Sequence, residues 1–97
     1  MIVHRATIKV KVGCMDKIVE LTKAEFARSG DAHKWRLYTF KLGSYDILAY
    51  EVEFEDLAEL DKFWTTWYAT PEAAEYFKKI VGLREAGGGE EVWNLVE

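Results

Sequence analysis

Hydrophobic and polar residues alternate along the first segment of the chain, residues 2–12. Apolar side chains fall on one face with His4 among them, while Arg5 and Lys9 fall on the other. A period of two residues is typical of a β-strand that buries one face. The pattern therefore predicts a first strand over 2–12, ended by Gly13.

The hydrophobic period lengthens after this strand. Over residues 15–28 large apolar side chains recur every three or four positions, which predicts an amphipathic helix. Residues 29–31 are expected to end this helix. Two further segments, 35–42 and 47–54, are rich in aromatic and β-branched residues and flank a short turn. They predict two strands joined as a hairpin.

Two capping signals predict the next helices. Asp56 is followed three residues later by Glu59, a capping box that predicts a helix to about residue 68. Thr70 directly precedes Pro71, the arrangement expected at an N-cap and first helical position, and predicts a helix to about residue 81. The three glycines of 87–89 predict a flexible connection before a short last strand over 92–96.

The predicted order is β-α-β-β-α-α-β, which favours an α+β fold of the ferredoxin-like type, an antiparallel sheet with helices on one face. All of 1–97 is expected to form a single domain. The other sheet face would be left partly apolar by a group of hydrophobic side chains: Val3, Trp35, Leu37, Ile47, Ala49 and Val92. An exposed apolar face needs a partner, so we expect a homodimer that pairs sheet to sheet.

Composition narrows the classes of function. The chain has 97 residues, with 13 Lys and Arg against 17 Asp and Glu. This acidic balance gives no electrostatic case for nucleic-acid binding. No apolar run approaches the roughly 18 residues of a membrane span, and the charged first segment does not resemble a signal peptide. We therefore expect a cytoplasmic protein that binds neither nucleic acid nor membranes.

The segment 63–74, FWTTWYATPEAA, has a helix ending in Trp, a Thr cap and a second short helix. This segment and the order of elements resemble the dimeric α+β barrel superfamily, which includes antibiotic-biosynthesis monooxygenases and haem-degrading monooxygenases. The resemblance spans nearly the whole chain as a pattern of elements. It implies a dimeric α+β barrel and, by analogy of fold, an oxygen-using enzyme.

Haem chemistry does not fit the residues present. The haem-degrading members pair a Trp on this helix with an axial His further along, and Trp67 matches that Trp. Phe77 stands at the position of the His, and the first strand offers His4 and Thr7 where those enzymes have an Asn. The resemblance thus implies no haem cofactor and leaves the cofactor-free monooxygenases, whose oxygen chemistry rests largely on an electron-rich substrate.

Aromatic residues supply the strongest candidate binding site. Those expected between the helices and the sheet are Trp64, Trp67, Tyr76, Phe77 and Tyr50. Aromatic walls with a few polar tips are typical of cavities that hold small flat molecules. The same spacing also suits an ordinary hydrophobic core, and that alternative stays open.

Two titratable residues are candidate catalytic groups. His4 stands among apolar residues and Tyr38 lies on the second predicted strand, so either could orient a ligand or move a proton. A satisfied structural histidine is the alternative for His4. His33, beside Asp31 and Lys34, is expected to be a solvated loop residue.

No metal site is expected from the His and Cys residues. The two histidines are far apart in the sequence, and the one cysteine, Cys14, lies near neither of them. Glu51 and Glu53 share a strand face and could chelate a hard cation, but a solvated sheet edge that discourages edge pairing is the favoured explanation. Two functions therefore remain: a cofactor-free monooxygenase-like enzyme acting on a small aromatic or hydrophobic molecule, and a non-catalytic ligand-binding or assembly module.

Overall fold

The computed structural model describes residues 1–29 and 32–97. In that part of the chain it confirms the predicted order of four strands and three helices: β1 (Ile2–Val10), α1 (Met15–Ser29), β2 (Trp35–Thr39), β3 (Ile47–Phe54), α2 (Leu57–Tyr68), α3 (Pro71–Ile80) and β4 (Arg84–Asn94). Gly30 and Asp31, part of the predicted stop of the first helix, lie outside the described residues.

The four strands form one antiparallel sheet in the order β2-β3-β1-β4. Along β1 every second residue, from Ile2 to Val10, is buried, and the residues between are only partly covered. This alternation follows from the strand period of two, since the buried set faces the helices. The expected ferredoxin-like α+β arrangement is confirmed.

The core on the helix side divides into two clusters. The first joins β1 and β3 to α1 and α3 through Ile8, Val10, Ile18, Leu48 and Ile80. The second lies toward the start of β1 and contains Ile2, Phe26, Val52 and Phe54. Leu48 and Val52 are wholly inaccessible to solvent, and the space between the clusters is where the candidate site lies.

Both predicted helix caps form. The Asp56 carboxylate accepts a hydrogen bond from the backbone N–H of Glu59 at 2.9 Å. The Thr70 hydroxyl accepts one from the backbone N–H of Ala73 at 3.2 Å, with Pro71 at the first helical position. Each cap satisfies a backbone donor that would otherwise lack a partner at a helix start.

The glycines of 87–89 do not form a flexible connection, which corrects the sequence-based expectation. They belong to β4, which begins at Arg84 and pairs with β1 through a break in register between Ile8 and Val10. Gly88 has a φ of +100°, and a Cβ there would stand 2.2 Å from the backbone oxygen of Thr7. Glycine is therefore required where β4 bends against β1.

The expected apolar face of the sheet also needs correction. Trp35 and Leu37 pack against the second core cluster on the helix side, and Val92 is the cross-strand partner of His4 on that same side. The aromatic residues on both sides of β2 made the alternation ambiguous. The first and second strands also end earlier than predicted, at Val10 and Thr39.

The open face, opposite the helices, is mainly charged. Arg5 contacts Glu51 at 2.9 Å, and Arg36 lies 3.5 Å from Glu53. These pairs cross strands β1, β2 and β3 and engage both carboxylates. Because β3 lies between β2 and β1, Glu51 and Glu53 do not stand at the solvated sheet edge that the sequence suggested. Apolar side chains remain among the charges, including Trp93, which is 57% exposed.

No helix in the described parts of the chain is both long and apolar enough to cross a membrane.

Candidate functional site

A cavity of about 310 Å³ separates the two core clusters. Its floor is formed by β1 and β3, its roof by all three helices, and one side by β4. Eight aromatic side chains of α1, β3, α2 and α3 line it: Phe26, Tyr50, Phe63, Trp64, Trp67, Tyr68, Tyr76 and Phe77. A volume of this size matches the lower range of small-molecule sites.

The structure places all five predicted ligand-binding residues on the wall of this cavity. Trp64 and Trp67 are one helical turn apart on α2, and their rings meet edge to face at 5.5 Å. Tyr76 and Phe77 come from α3, each contacting the Trp67 ring. Tyr50 rises from β3 beneath them. Three separate elements thus bring aromatic surfaces to one space, and the rings leave it open.

The two indoles of the cavity wall are oriented by hydrogen bonds. Trp64 donates its Nε1–H to Nδ1 of His4 at 3.0 Å. Trp67 donates its Nε1–H to the Glu25 carboxylate at 3.1 Å, and Arg28 pairs with that same carboxylate. A buried indole N–H needs such a partner, so each bond fixes the plane that its ring presents to the cavity.

His4 lies directly behind the aromatic wall. Its side chain is buried, with edge-to-face contacts to Tyr50 and Trp64. Because Nδ1 accepts the Trp64 hydrogen bond, the neutral ring carries its proton on Nε2, which points toward Glu90 at 3.7 Å. Burial lowers the pKa of His4, and the Glu90 carboxylate opposes that shift. His4 is thus a neutral imidazole in contact with two cavity residues.

The phenols of the cavity differ in their hydrogen bonding. The hydroxyl groups of Tyr76 and Thr22 share a hydrogen bond of 2.8 Å. Burial raises the pKa of Tyr76, and that hydrogen bond opposes the rise. Burial also raises the pKa of Tyr50, further helped by Glu90. Both phenols are therefore protonated at neutral pH and can donate hydrogen bonds.

Tyr38, the second candidate catalytic residue, does not lie near this group. Tyr38 is paired with Ala49 and lies on the open face, while His4 is paired with Val52 on the helix side. The Tyr38 hydroxyl donates to Glu51 at 2.9 Å, and this bond raises the pKa of Tyr38. The sheet itself separates the two residues.

Three charged residues at the cavity were not predicted from the sequence: Glu25, Arg84 and Glu90. Glu25 lies on α1, whereas Arg84 and Glu90 belong to β4. The sequence could have indicated Glu90. If the last strand is extended back through the glycines, Glu90 falls opposite Ala6, which is two residues from His4 on β1. The glycines concealed that strand.

His33 is not a solvated loop residue. Its side chain is only 15% exposed, and the ring packs between Phe54 and Phe63 at centroid distances of 4.8 and 5.1 Å. Nδ1 lies 3.3 Å from a carboxylate oxygen of Glu59. His33 thus packs the start of α2 against the sheet; it contacts Phe63 of the cavity wall but does not itself line the cavity.

Within residues 1–29 and 32–97, no group of three or more His, Cys, Asp or Glu side chains could hold a metal ion. Cys14 is a partly exposed free thiol against the first core cluster.

Comparison with known proteins identifies the fold. No family model and no curated protein matches the sequence. Among solved structures, an uncharacterised NIPSNAP domain protein from Burkholderia xenovorans superposes with a TM-score of 0.85 at 13% identity, covering 99% of this chain and 95% of that one. A NIPSNAP family protein from Agrobacterium tumefaciens gives 0.84 at 11% identity, covering 99% and 93%.

An antibiotic biosynthesis monooxygenase is similar over its full length. It superposes with a TM-score of 0.73 at 18% identity and covers 100% of both chains. At such low identities the likeness concerns the backbone, and fold alone does not determine activity. The resemblance inferred from the sequence is confirmed at the level of the fold: the chain has the ferredoxin-like fold that these proteins share.

Proposed function

We propose that this protein binds a small, flat aromatic or hydrophobic molecule in the cavity between its sheet and its helices, and acts on it as a cofactor-free monooxygenase-like enzyme. The observation that carries the proposal is an open space of about 310 Å³ walled by eight aromatic rings. In a well-packed core of this size these rings would interdigitate and leave no such space.

The polar groups around the cavity suit an aromatic substrate with hydroxyl groups. Tyr50 offers a phenol and Glu90 a carboxylate on the wall. His4 contacts Tyr50 and approaches Glu90, so it acts as a positioning residue and proton partner behind the wall. A neutral imidazole with a lowered pKa accepts a proton only transiently near neutral pH. Tyr38, which faces away from the cavity, has no role in this scheme.

The reaction draws its electrons from the substrate. An electron-rich dihydroxynaphthalene loses one hydroxyl hydrogen and one ring hydrogen when it reacts with O₂, and the oxidised hydroxyl becomes a carbonyl. One oxygen atom becomes the new carbonyl of a hydroxynaphthoquinone and the other leaves as water, so no separate reductant is required. The chain supplies an aromatic-walled space and a group that moves a proton. The fold shared with an antibiotic biosynthesis monooxygenase supports this choice of chemistry.

We further propose that the protein is a homodimer through the open face. Apolar side chains on this face lie among charged residues that pair within the chain: Val3, Ile47, Ala49 and Trp93. Neutralised charges beside apolar side chains are compatible with burial against a second copy. Native mass spectrometry of freshly purified protein tests this directly, because it reads subunit number and retained small molecules together; a monomer across the accessible concentrations would overturn the dimer.

The enzymatic proposal is tested by oxygen uptake with a dihydroxynaphthalene, measured with the formation of the hydroxynaphthoquinone. We expect uptake above the rate of the probe alone and its loss in Trp64→Leu, which removes a wall of the cavity. Lys23→Gln, at an exposed position on α1, is the control and should retain it. Binding of the probe without uptake would contradict catalysis and favour the non-catalytic ligand-binding module.

A further inference from the structure

Arg84 is the charged residue of the cavity whose presence the aromatic walls do not explain. It is the first residue of β4, is partly buried, and lines the cavity. Its cross-strand partner is Val10, whose side chain belongs to the first core cluster. Burial raises the pKa values of Tyr50 and Tyr76, and the positive charge of Arg84 opposes that rise in both. The guanidinium therefore acts on two of the three phenols that line the cavity.

The other charges at the cavity have partners. The Glu25 carboxylate accepts hydrogen bonds from Trp67 and Arg28. Glu90 approaches His4, and its side chain is 69% exposed to solvent. Among the ion pairs formed by the described residues, none includes Arg84. A partly buried cation without a carboxylate is unfavourable unless another anion completes it.

We propose that Arg84 binds an acidic group of the ligand, so that the molecule held in the cavity is an aromatic acid. Guanidinium groups recognise carboxylates through paired, charge-assisted hydrogen bonds. The inference rests on the proposed function, since it names the chemical class of the molecule that the aromatic walls hold.

The position of Glu90 gives the ligand a direction. Arg84 pairs with Val10 and Glu90 pairs with Ala6, and four residues of β1 span about 13 Å. An anionic group is repelled at the Glu90 end of the cavity and attracted at the Arg84 end. The glycines between the two residues present backbone rather than side chains to the cavity, which leaves room for a flat ring along β4.

Two matched probes test the inference. Naphthoate and naphthamide share the same ring system and nearly the same shape, but only the first is an anion near neutral pH. Isothermal titration calorimetry measures each dissociation constant for the wild-type protein, for Arg84→Gln, for Arg84→Lys and for Lys23→Gln. Lys23→Gln removes the same charge from an exposed helix position and is the control for net charge.

We expect the wild-type protein to bind naphthoate about tenfold or more tightly than naphthamide, as a hydrogen bond between charged groups implies. Arg84→Gln should abolish this preference and leave naphthamide binding unchanged, Arg84→Lys should retain part of it, and Lys23→Gln should retain all of it. The wild-type ratio needs no variant, so a variant that fails to fold does not prevent the test.

Equal affinities of the wild-type protein for the two probes would overturn the role of Arg84 while the proposed aromatic site stands. A preference that survives in folded Arg84→Gln would also overturn it. If neither probe binds, the proposed function fails and the inference fails with it.

Discussion

The two faces of the sheet use alternate residues of the same strands, yet they differ in what their side chains do. On the helix side, β1 contributes apolar residues and His4, which are buried beneath the helices, and Ala6 and Ile8 of this set line the cavity. On the open side, Arg5 and Lys9 pair with carboxylates of neighbouring strands. A one-residue step along a strand therefore separates the candidate site from the candidate subunit interface.

The largest expected effect is on stability, and it separates two neighbouring residues of β3 that face opposite sides of the sheet. Leu48→Ala should lower the free energy of unfolding by about 2–5 kcal/mol, because it empties a fully buried position of the first core cluster. Ile47→Ala, on the open face, removes a side chain that is only partly covered and should have a smaller effect. Urea denaturation of both variants makes the measurement. A larger loss for Ile47→Ala that grows with protein concentration would show that dimer burial dominates the stability.

The glycines of β4 provide a second pair. Gly88 is opposite Ile8 and has a positive φ, whereas Gly89 is opposite Thr7, and a Cβ added to Gly89 would meet no atom within 4 Å. Gly88→Ala should therefore cost about 2 kcal/mol or more through backbone strain and the contact with Thr7, and Gly89→Ala should be nearly neutral. Equal thermal denaturation midpoints for the two variants would contradict the bend in β4.

His4, buried on the helix side of the sheet, should make the free energy of unfolding depend on pH. Because burial lowers the pKa of His4 in the folded state, the unfolded chain binds a proton first as the pH falls below about 6.5. Stability is therefore fully present above that pH and decreases as the pH falls toward the folded pKa. Glu90 and Tyr50 face the ring, and only Glu90 opposes the shift.

The measurement is urea denaturation of the wild-type protein and His4→Gln across this range of pH. His4→Gln should lose less stability than the wild-type protein as the pH falls. His33→Gln changes the other histidine and should retain the loss of stability that is due to His4. An unchanged slope in His4→Gln would mean that other groups cause the loss.

Tyr38→Phe should have the smallest effect. It removes one exposed hydrogen bond to Glu51 on the open face, so the expected loss of stability is at most about 1 kcal/mol. The affinity of the cavity for naphthoate, measured by calorimetry, should not change. Weaker ligand binding in this variant would restore the catalytic role that the sequence suggested for Tyr38.

Much of the fold could be read from local patterns, because each pattern reports a local physical requirement. The strict alternation in β1 and the caps at Asp56 and Thr70 each predicted an element that the structure contains. The side on which Trp35 lies could not be read, since β2 carries large apolar residues on both faces. Burial against Phe26, with the rings stacked at 5.3 Å, decides it.

The site was only partly predictable for a different reason. Aromatic residues at helical spacing pointed to the cavity wall, but Arg84 and Glu90 reach it through a strand that bends at Gly88. Three glycines in sequence predict a loop from composition, and only their pairing with β1 reveals a strand. The charges of a cavity come together through such long-range pairing, which local patterns do not report.

A ligand site between the sheet and the helices can be tested directly with the indole N–H signals in a ¹H–¹⁵N NMR spectrum. The chain has four tryptophans, of which Trp64 and Trp67 line the cavity while Trp93 lies on the open face. Single Trp→Phe variants assign the signals, and naphthoate is then added. We expect the signals of Trp64 and Trp67 to shift and that of Trp93 to stay unchanged. Unchanged signals from Trp64 and Trp67, or a shift confined to Trp93, would contradict a ligand site between the sheet and the helices.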